Sequence, residues 1–149
     1  MSKIDIKNNR SGCPISTSLD IIGDKWSLIV VRDLFIKRCT FSEMINLSKE
    51  CIATNILSDR LKKLKFRGVI DFGPNTKNKN IKEYYLTNIG IDLYPIIYEL
   101  HTWSPNYFQF EIAPVAKKWM DDNSAKDKMD VIKKSMEDYR IFRFKKHGI

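Results

Sequence analysis

The chain has 149 residues, 43% of them hydrophobic, which fits one folded domain with its own core and excludes a disordered polypeptide. No apolar run reaches the roughly 20 residues of a membrane-spanning helix, and Met1 to Ser11 lacks the apolar stretch of a secretory signal, so a cytoplasmic location is expected. The net charge of +8 points to a polyanion, nucleic acid or an acidic membrane surface, or else to compositional drift in a Lys-, Asn- and Ile-rich chain.

Residues 1–12 are polar and expected to be mobile. Cys13-Pro14 opens an apolar-periodic stretch with Leu19, Ile21 and Ile22 that Gly23 stops, which predicts a short helix with proline in its first turn. Asp24 is placed to cap a helix from Lys25 to about Lys37. That helix is apolar nearly all round and belongs in the middle of a core. Thr40-Phe41-Ser42-Glu43 has the form of a capping box and starts a third helix ending near Leu47. After a turn from Ser48 to Cys51, a fourth helix runs from about Ile52 to Arg67, and the two short helices with their turn make a helix-turn-helix. Ala53, Leu57, Leu61 and Leu64 are expected on its core face.

Beyond Gly68 the periodicity changes. Val69–Phe72 and Glu83–Leu86 read as strands around a polar loop from Gly73 to Asn80, a hairpin in the position of a wing. Thr87 is placed to cap a helix from Asn88 to about Trp103, which Pro95 should bend or break. A basic and aromatic tail follows Ser104-Pro105. Its last helix carries Met129, Ile132, Met136 and Tyr139 as an apolar stripe.

The outward face of the fourth helix carries Thr54, Asn55, Ser58, Asp59 and Lys62, with Arg60 on the same helix. The N-terminal residues of the second helix in a helix-turn-helix reach base edges in the major groove. Asn pairs bidentately with adenine, while Ser and Thr serve several bases or the phosphates. Asp59 either reads a cytosine amino group or pairs with Lys62 or Lys63. Lys77, Lys79 and Lys82 give the wing a charge suited to a neighbouring groove or phosphate. A merely solvated amphipathic helix is the alternative for the charged face, and the adjoining basic hairpin argues against it.

Cys13-Pro14, the run Leu19-Asp20-Ile21-Ile22-Gly23-Asp24-Lys25-Trp26, Arg32-Asp33-Leu34, Phe41-Ser42-Glu43, Leu57-Ser58-Asp59-Arg60-Leu61 and the run Tyr85 to Gly90 together resemble the HxlR family of bacterial regulators, in order and spacing. The resemblance covers about Cys13 to Trp103. It implies a mainly α fold with a small β-hairpin, the MarR-like winged helix-turn-helix, and a homodimer formed through the N-terminal helix and those after the wing. It also implies binding to inverted-repeat operators in double-stranded DNA, with repression or activation of genes, and a sensing cysteine near the N-terminus that Cys13 matches. The domain then spans 13–104, and 105–149 is a helical extension for dimerisation or partner contact. The chain continues about forty residues past the family's usual end, and its wing tip is richer in Asn and Lys.

Cys13 at a helix start favours thiolate, the reactive form, so it is a candidate oxidant or electrophile sensor. The alternative is a small half-buried apolar residue. Cys39 and Cys51 are expected to be structural, with the alternative that Cys51, in the turn, modulates binding when oxidised. No cysteine pair, histidine spacing, nucleophile motif or phosphate loop points to a metal, a cofactor or an enzyme. His101 reads as an interfacial or exposed polar residue rather than a ligand. The basic, aromatic run from Tyr139 to Lys146 either grips flanking DNA or is a frayed end of a dimer helix. Two further readings stay open: a small-molecule effector pocket between helices, and a protein-interaction module that keeps the winged helix as a dimer scaffold.

Overall fold

Asp24 shows how local chemistry sets the helix boundaries. In the computed structural model of the chain, which describes Ile4, Ile6 and residues 10–149, its carboxylate accepts from the N–H of Trp26 at 2.9 Å, the N–H of Ser27 at 3.0 Å and the Ser27 hydroxyl. The chain therefore turns through residues 24–26 and helix α2 runs Ser27–Phe35, shorter at both ends than expected. Lys37, with φ of 66°, closes it off. Most of segment 1–12, expected to be mobile, lies outside the described residues.

Two compact units divide the chain, Met1–Gly90 and Ile91–Ile149. The first begins with α1, Pro14–Ile22, entered through Cys13 and left through Gly23 as expected. α3, Phe41–Asn46, starts at the capping box: the Glu43 N–H donates to Thr40 Oγ1 at 3.2 Å, and the Glu43 carboxylate accepts from the Thr40 N–H at 2.9 Å. Cys51 closes the following turn at φ of 54°, and α4 spans Thr54–Phe66. Leu57, Leu61 and Leu64 are buried, as are Val30, Val31 and Leu34 of α2, on which α4 packs. Ala53 is a correction: it is exposed and sits before α4 as its N-cap, so it is no part of the leucine face.

The hairpin pairs β1, Ile70–Pro74, antiparallel to β2, Lys82–Leu86, from Ile70↔Leu86 to Pro74↔Lys82. Its first strand reaches two residues further than expected. Pro74 is tolerated because it is the strand's last residue, where a missing N–H ends the ladder without breaking it. On the other edge of β2, Thr40 forms a bridge with Glu83, and the Tyr84 N–H donates to the Cys39 carbonyl at 2.7 Å. The wing is thus fastened to the start of α3. Gly68, at φ of 69°, lets the chain reverse from α4 into β1.

The helix expected from Asn88 to Trp103 is two helices, α5, Asn88–Ile91, and α6, Tyr94–Tyr107. The break lies before Pro95, which occupies the first turn of α6, where its missing N–H costs nothing. α6 then continues through Pro105 into its last turn. α7, Pro114–Asn123, was not anticipated. Its Trp119 meets Tyr98 edge-on at 5.5 Å and His101 at 4.2 Å between ring centroids. α8, Lys128–His147, is capped by Asp127, whose carboxylate accepts from the N–H groups of Met129 and Asp130. It packs on α6. Its buried face is Val131, Ile132 and Tyr139, while Met129 is exposed, so the face is turned toward Val131 from the expected stripe. No helix among the described residues is long and apolar enough to cross a membrane.

Candidate nucleic-acid interface

α4 begins without a side-chain cap, because Ala53 has no acceptor. Thr54 and Asn55 stand exposed on its first turn, Ser58 is half-buried one turn on, and Lys62 is exposed beyond it. These four share the outward side of the helix, with the leucines turned to the core. The hydroxyls, the amide and the ammonium are donor and acceptor types suited to base edges and phosphates.

Asp59 and Arg60 are held differently. The Asp59 carboxylate pairs with Arg60 at 2.6 Å and Lys63 at 3.0 Å. The hydrogen bond from Lys63, aided by both positive charges, keeps it below the usual aspartate range against the desolvation that would raise it. Of the two readings open for Asp59, the pairing is realised, with Lys63 and Arg60 as partners. Arg60 also reaches Asp24 at 3.1 Å, and its side chain is only 22% exposed. Burial opposes the charge on Asp24, but the Ser27 hydroxyl, the Trp26 and Ser27 N–H groups and Arg60 outweigh it and lower its pKa.

Lys77, Lys79 and Lys82 are all exposed on the wing. Asn75, read from the sequence only as part of an Asn-rich wing tip, builds the loop that carries them. Its Oδ1 accepts from the N–H groups of Lys77 at 2.9 Å and Asn78 at 3.1 Å, and its Nδ2 donates to buried Glu83 at 3.3 Å. An Asn at the first position of a polar loop is the signal that could have found it, since Asn side chains mimic a backbone turn. At the wing's root the ammonium groups of Lys82 and Lys65 lie 4.5 Å and 4.9 Å from the Phe72 ring centre, and Lys65 pairs with Asp71. The Lys65 hydrogen bond chiefly lowers the Asp71 pKa.

Sequence reasoning also missed a charged network behind α4. Asp33 on α2 is buried, and its carboxylate pairs with Arg32 at 2.8 Å and Arg38 at 3.2 Å. Arg32 extends to Glu50 at 2.8 Å, in the turn before α4. The clue was the adjacent pair Arg32-Asp33 in a helix otherwise nearly all apolar.

Cys13 is exposed as the N-cap of α1, and its carbonyl accepts from Thr17 N–H at 3.0 Å. Arg10, three residues before Cys13, pairs with Asp20 at 2.8 Å. Cys39 is buried, whereas Cys51 is exposed in the turn, with its thiol 3.6 Å from the Lys49 carbonyl. Among the described residues no group of three His, Cys, Asp or Glu side chains is arranged to hold a metal ion.

A family model described as HxlR-like helix-turn-helix matches residues 21–111. A helix-turn-helix-type transcriptional regulator of Mycobacterium tuberculosis is 29% identical over 118 residues, covering 78% of this chain and 73% of that protein. The regulator YvaP of Bacillus subtilis is 32% identical over 103 residues, 67% of this chain and 93% of its own length. Among solved structures, PA1607 is similar with a TM-score of 0.62 at 35% identity, over 71% of this chain and 70% of that one. The redox regulator HypR in its oxidized form is similar with a TM-score of 0.58 at 26% identity, over 66% of this chain and all of that one, 100%.

Proposed function

The chain belongs to the HxlR-like helix-turn-helix family, and from that premise we propose that it is a homodimeric regulator reading an inverted-repeat operator in double-stranded DNA through α4 and the wing. That it is a transcription regulator of winged-helix fold, and no enzyme, follows from the family and its relatives. The observation that carries the finer reading is the face of α4. Thr54, Asn55, Ser58 and Lys62 turn outward together on the helix that follows the helix-turn-helix turn, and exposed Lys77, Lys79 and Lys82 stand on the wing.

Thr54, Asn55 and Ser58 discriminate between bases, while Lys62 and the wing lysines grip phosphate whatever the sequence. Two copies of α4 would enter successive major grooves about 34 Å apart. A second copy is called for by two exposed apolar rows. On α1, Ile15 and Leu19 are exposed, and on α6, Ile96, Leu100, Trp103 and Tyr107 are exposed at helical spacing. Residues 105–149, with Phe108, Phe110 and Val115 also exposed, extend the surface for a second copy or a protein partner beyond a domain spanning 13–104.

Cys13 is the proposed oxidant or electrophile sensor, supported by its exposure at the start of α1 and by the likeness to HypR. Selection of bound duplexes from a random pool tests the whole reading. An enriched inverted repeat with half-sites one helical turn apart is expected, and no enrichment at all would overturn it. On the selected duplex, oxidant should change the affinity of the wild type and leave Cys13→Ser unmoved.

A further inference from the structure

Arg60 belongs to the helix that reads DNA, yet its guanidinium is directed away from the side that would do the reading. At 3.6 residues per turn it projects about 140° round α4 from Asn55 and about 160° from Lys62, on the flank nearer the core leucines. Two carboxylates hold it there, Asp59 at 2.6 Å and Asp24 at 3.1 Å. Asp24 is itself fixed, because the same carboxylate receives the N–H groups of Trp26 and Ser27 and the Ser27 hydroxyl at the start of α2. A rigid planar fork seated on a rigid acceptor sets an angle as well as a distance.

A second support of the same kind stands beside it: Arg32 of α2 takes Glu50 at 2.8 Å and lies 3.4 Å from the Ser48 hydroxyl, in the turn that leads into α4. Buried Asp33 braces that arginine from behind at 2.8 Å. α2 thereby holds the reading helix at its middle and at its entrance.

We infer that Arg60 is a positioning residue and no DNA ligand: with Asp24 it fixes the pose in which α4 presents Thr54, Asn55 and Ser58, and so governs sequence discrimination. The inference rests on the DNA-reading role of α4. A phosphate contact by Arg60 would require it to leave both carboxylates, whereas exposed Lys62 needs no such rearrangement.

The test uses the full-length protein, the selected duplex and a random duplex of equal length, titrated over a range of salt. Each phosphate contact contributes about 0.9 to the slope of log affinity against log salt. Arg60→Gln should keep the wild-type slope and lower the ratio of selected to random affinity about tenfold. Lys62→Gln should do the reverse, losing about 0.9 of slope per subunit and keeping the ratio. Asp24→Asn retains an oxygen for the α2 cap but drops the charge that holds Arg60. It should reproduce the Arg60→Gln phenotype, and the double variant should be no worse than either single one. If Arg60→Gln is too unstable to purify, Asp24→Asn alone decides. A lower slope with an unchanged ratio in Arg60→Gln, or an unchanged ratio in Asp24→Asn, overturns the inference while leaving the regulator reading intact. Wild-type protein that binds neither duplex overturns both.

Discussion

Asp33 sits in α2 with a side chain only 3% exposed, and it is tolerated there because Arg32 and Arg38 neutralise it at 2.8 Å and 3.2 Å. Removing the carboxylate takes one charge partner from Arg32, which keeps Glu50, and the Asp33 ion pair from Arg38, guanidinium groups that are themselves 31% and 22% exposed. Breaking a fully buried pair costs about 3–5 kcal/mol, and partial access of water to both arginines lowers that to about 2–3 kcal/mol for Asp33→Ala. Urea unfolding should register the loss as a lower midpoint with unchanged slope, and a shift under about 0.5 kcal/mol would mean that the network is idle. Asp24 makes a pH-dependent contribution of known sign. Its folded pKa lies below the ordinary aspartate value of 3.8, through the Ser27, Trp26 and Arg60 interactions that overcome burial. The charged form therefore stabilises the fold above 3.8, and that stability is lost as pH falls through the lower folded value. The thermal midpoint of Asp24→Asn should accordingly trail the wild type at neutral pH and converge on it in acid. A gap that persists unchanged in acid would rule out the carboxylate charge as its source.

At the scale of elements, the wing is an Asn-built loop on a two-stranded ladder, so its order hangs on Asn75 more than on any lysine. Asn75→Ala removes two acceptances and the donation to Glu83, which should cost about 1–2 kcal/mol and speed amide exchange at Lys77 and Asn78 while α4 stays protected. Equal exchange in both proteins would count against the Asx-built loop. The elements with strong local signals were legible in the sequence: the Thr40–Glu43 capping box, the leucine face of α4, the hairpin after Gly68 and the end of α1 at Gly23. What escaped was decided by competition between signals. The expected long helix broke at Asp92–Leu93 because Pro95 favours a helix's first turn over its middle. Pro105, which looked like a stop, lies within α6's last turn, where the helix has only two residues left to run. Met129 matched a helical stripe by spacing, yet the face that packs is centred nearer Val131, which periodicity alone does not distinguish. At the candidate interface, the outward placement of the α4 residues and the exposure of the wing lysines were readable from position. The inward tether of Arg60 was not, because Asp24 lies 36 residues away in sequence and meets it only in the fold.

For the molecule as a whole, the question raised by a charge of +8 is whether it is spread or gathered. From Thr54 to Leu86 the chain carries eight Lys or Arg against three acidic residues, so +5 of the +8 falls on α4 and the wing. Compositional drift would distribute it more evenly, and the second unit answers its own lysines with acids in pairs such as Lys118–Asp122, Lys134–Asp138 and Lys128–Glu99. A gathered charge makes a quantitative demand on binding. If Lys62, Lys77, Lys79 and Lys82 each meet one phosphate in both subunits of a dimer, log affinity against log salt should fall with a slope of about −7. Raising salt from about 50 to 200 mM would then weaken binding about 10⁴-fold. Lys77→Ala should flatten the dimer's slope by about two and weaken selected and random duplexes alike, whereas Asn55→Ala should leave the slope alone and cost about 1–3 kcal/mol of discrimination. Fluorescence anisotropy across a salt series measures both quantities on the same samples. A wild-type slope near −3.5 would mean that one subunit engages at a time, since half the lysines would then be in contact. The apolar rows on α1 and α6 would in that case need an occupant other than a DNA-bound second copy.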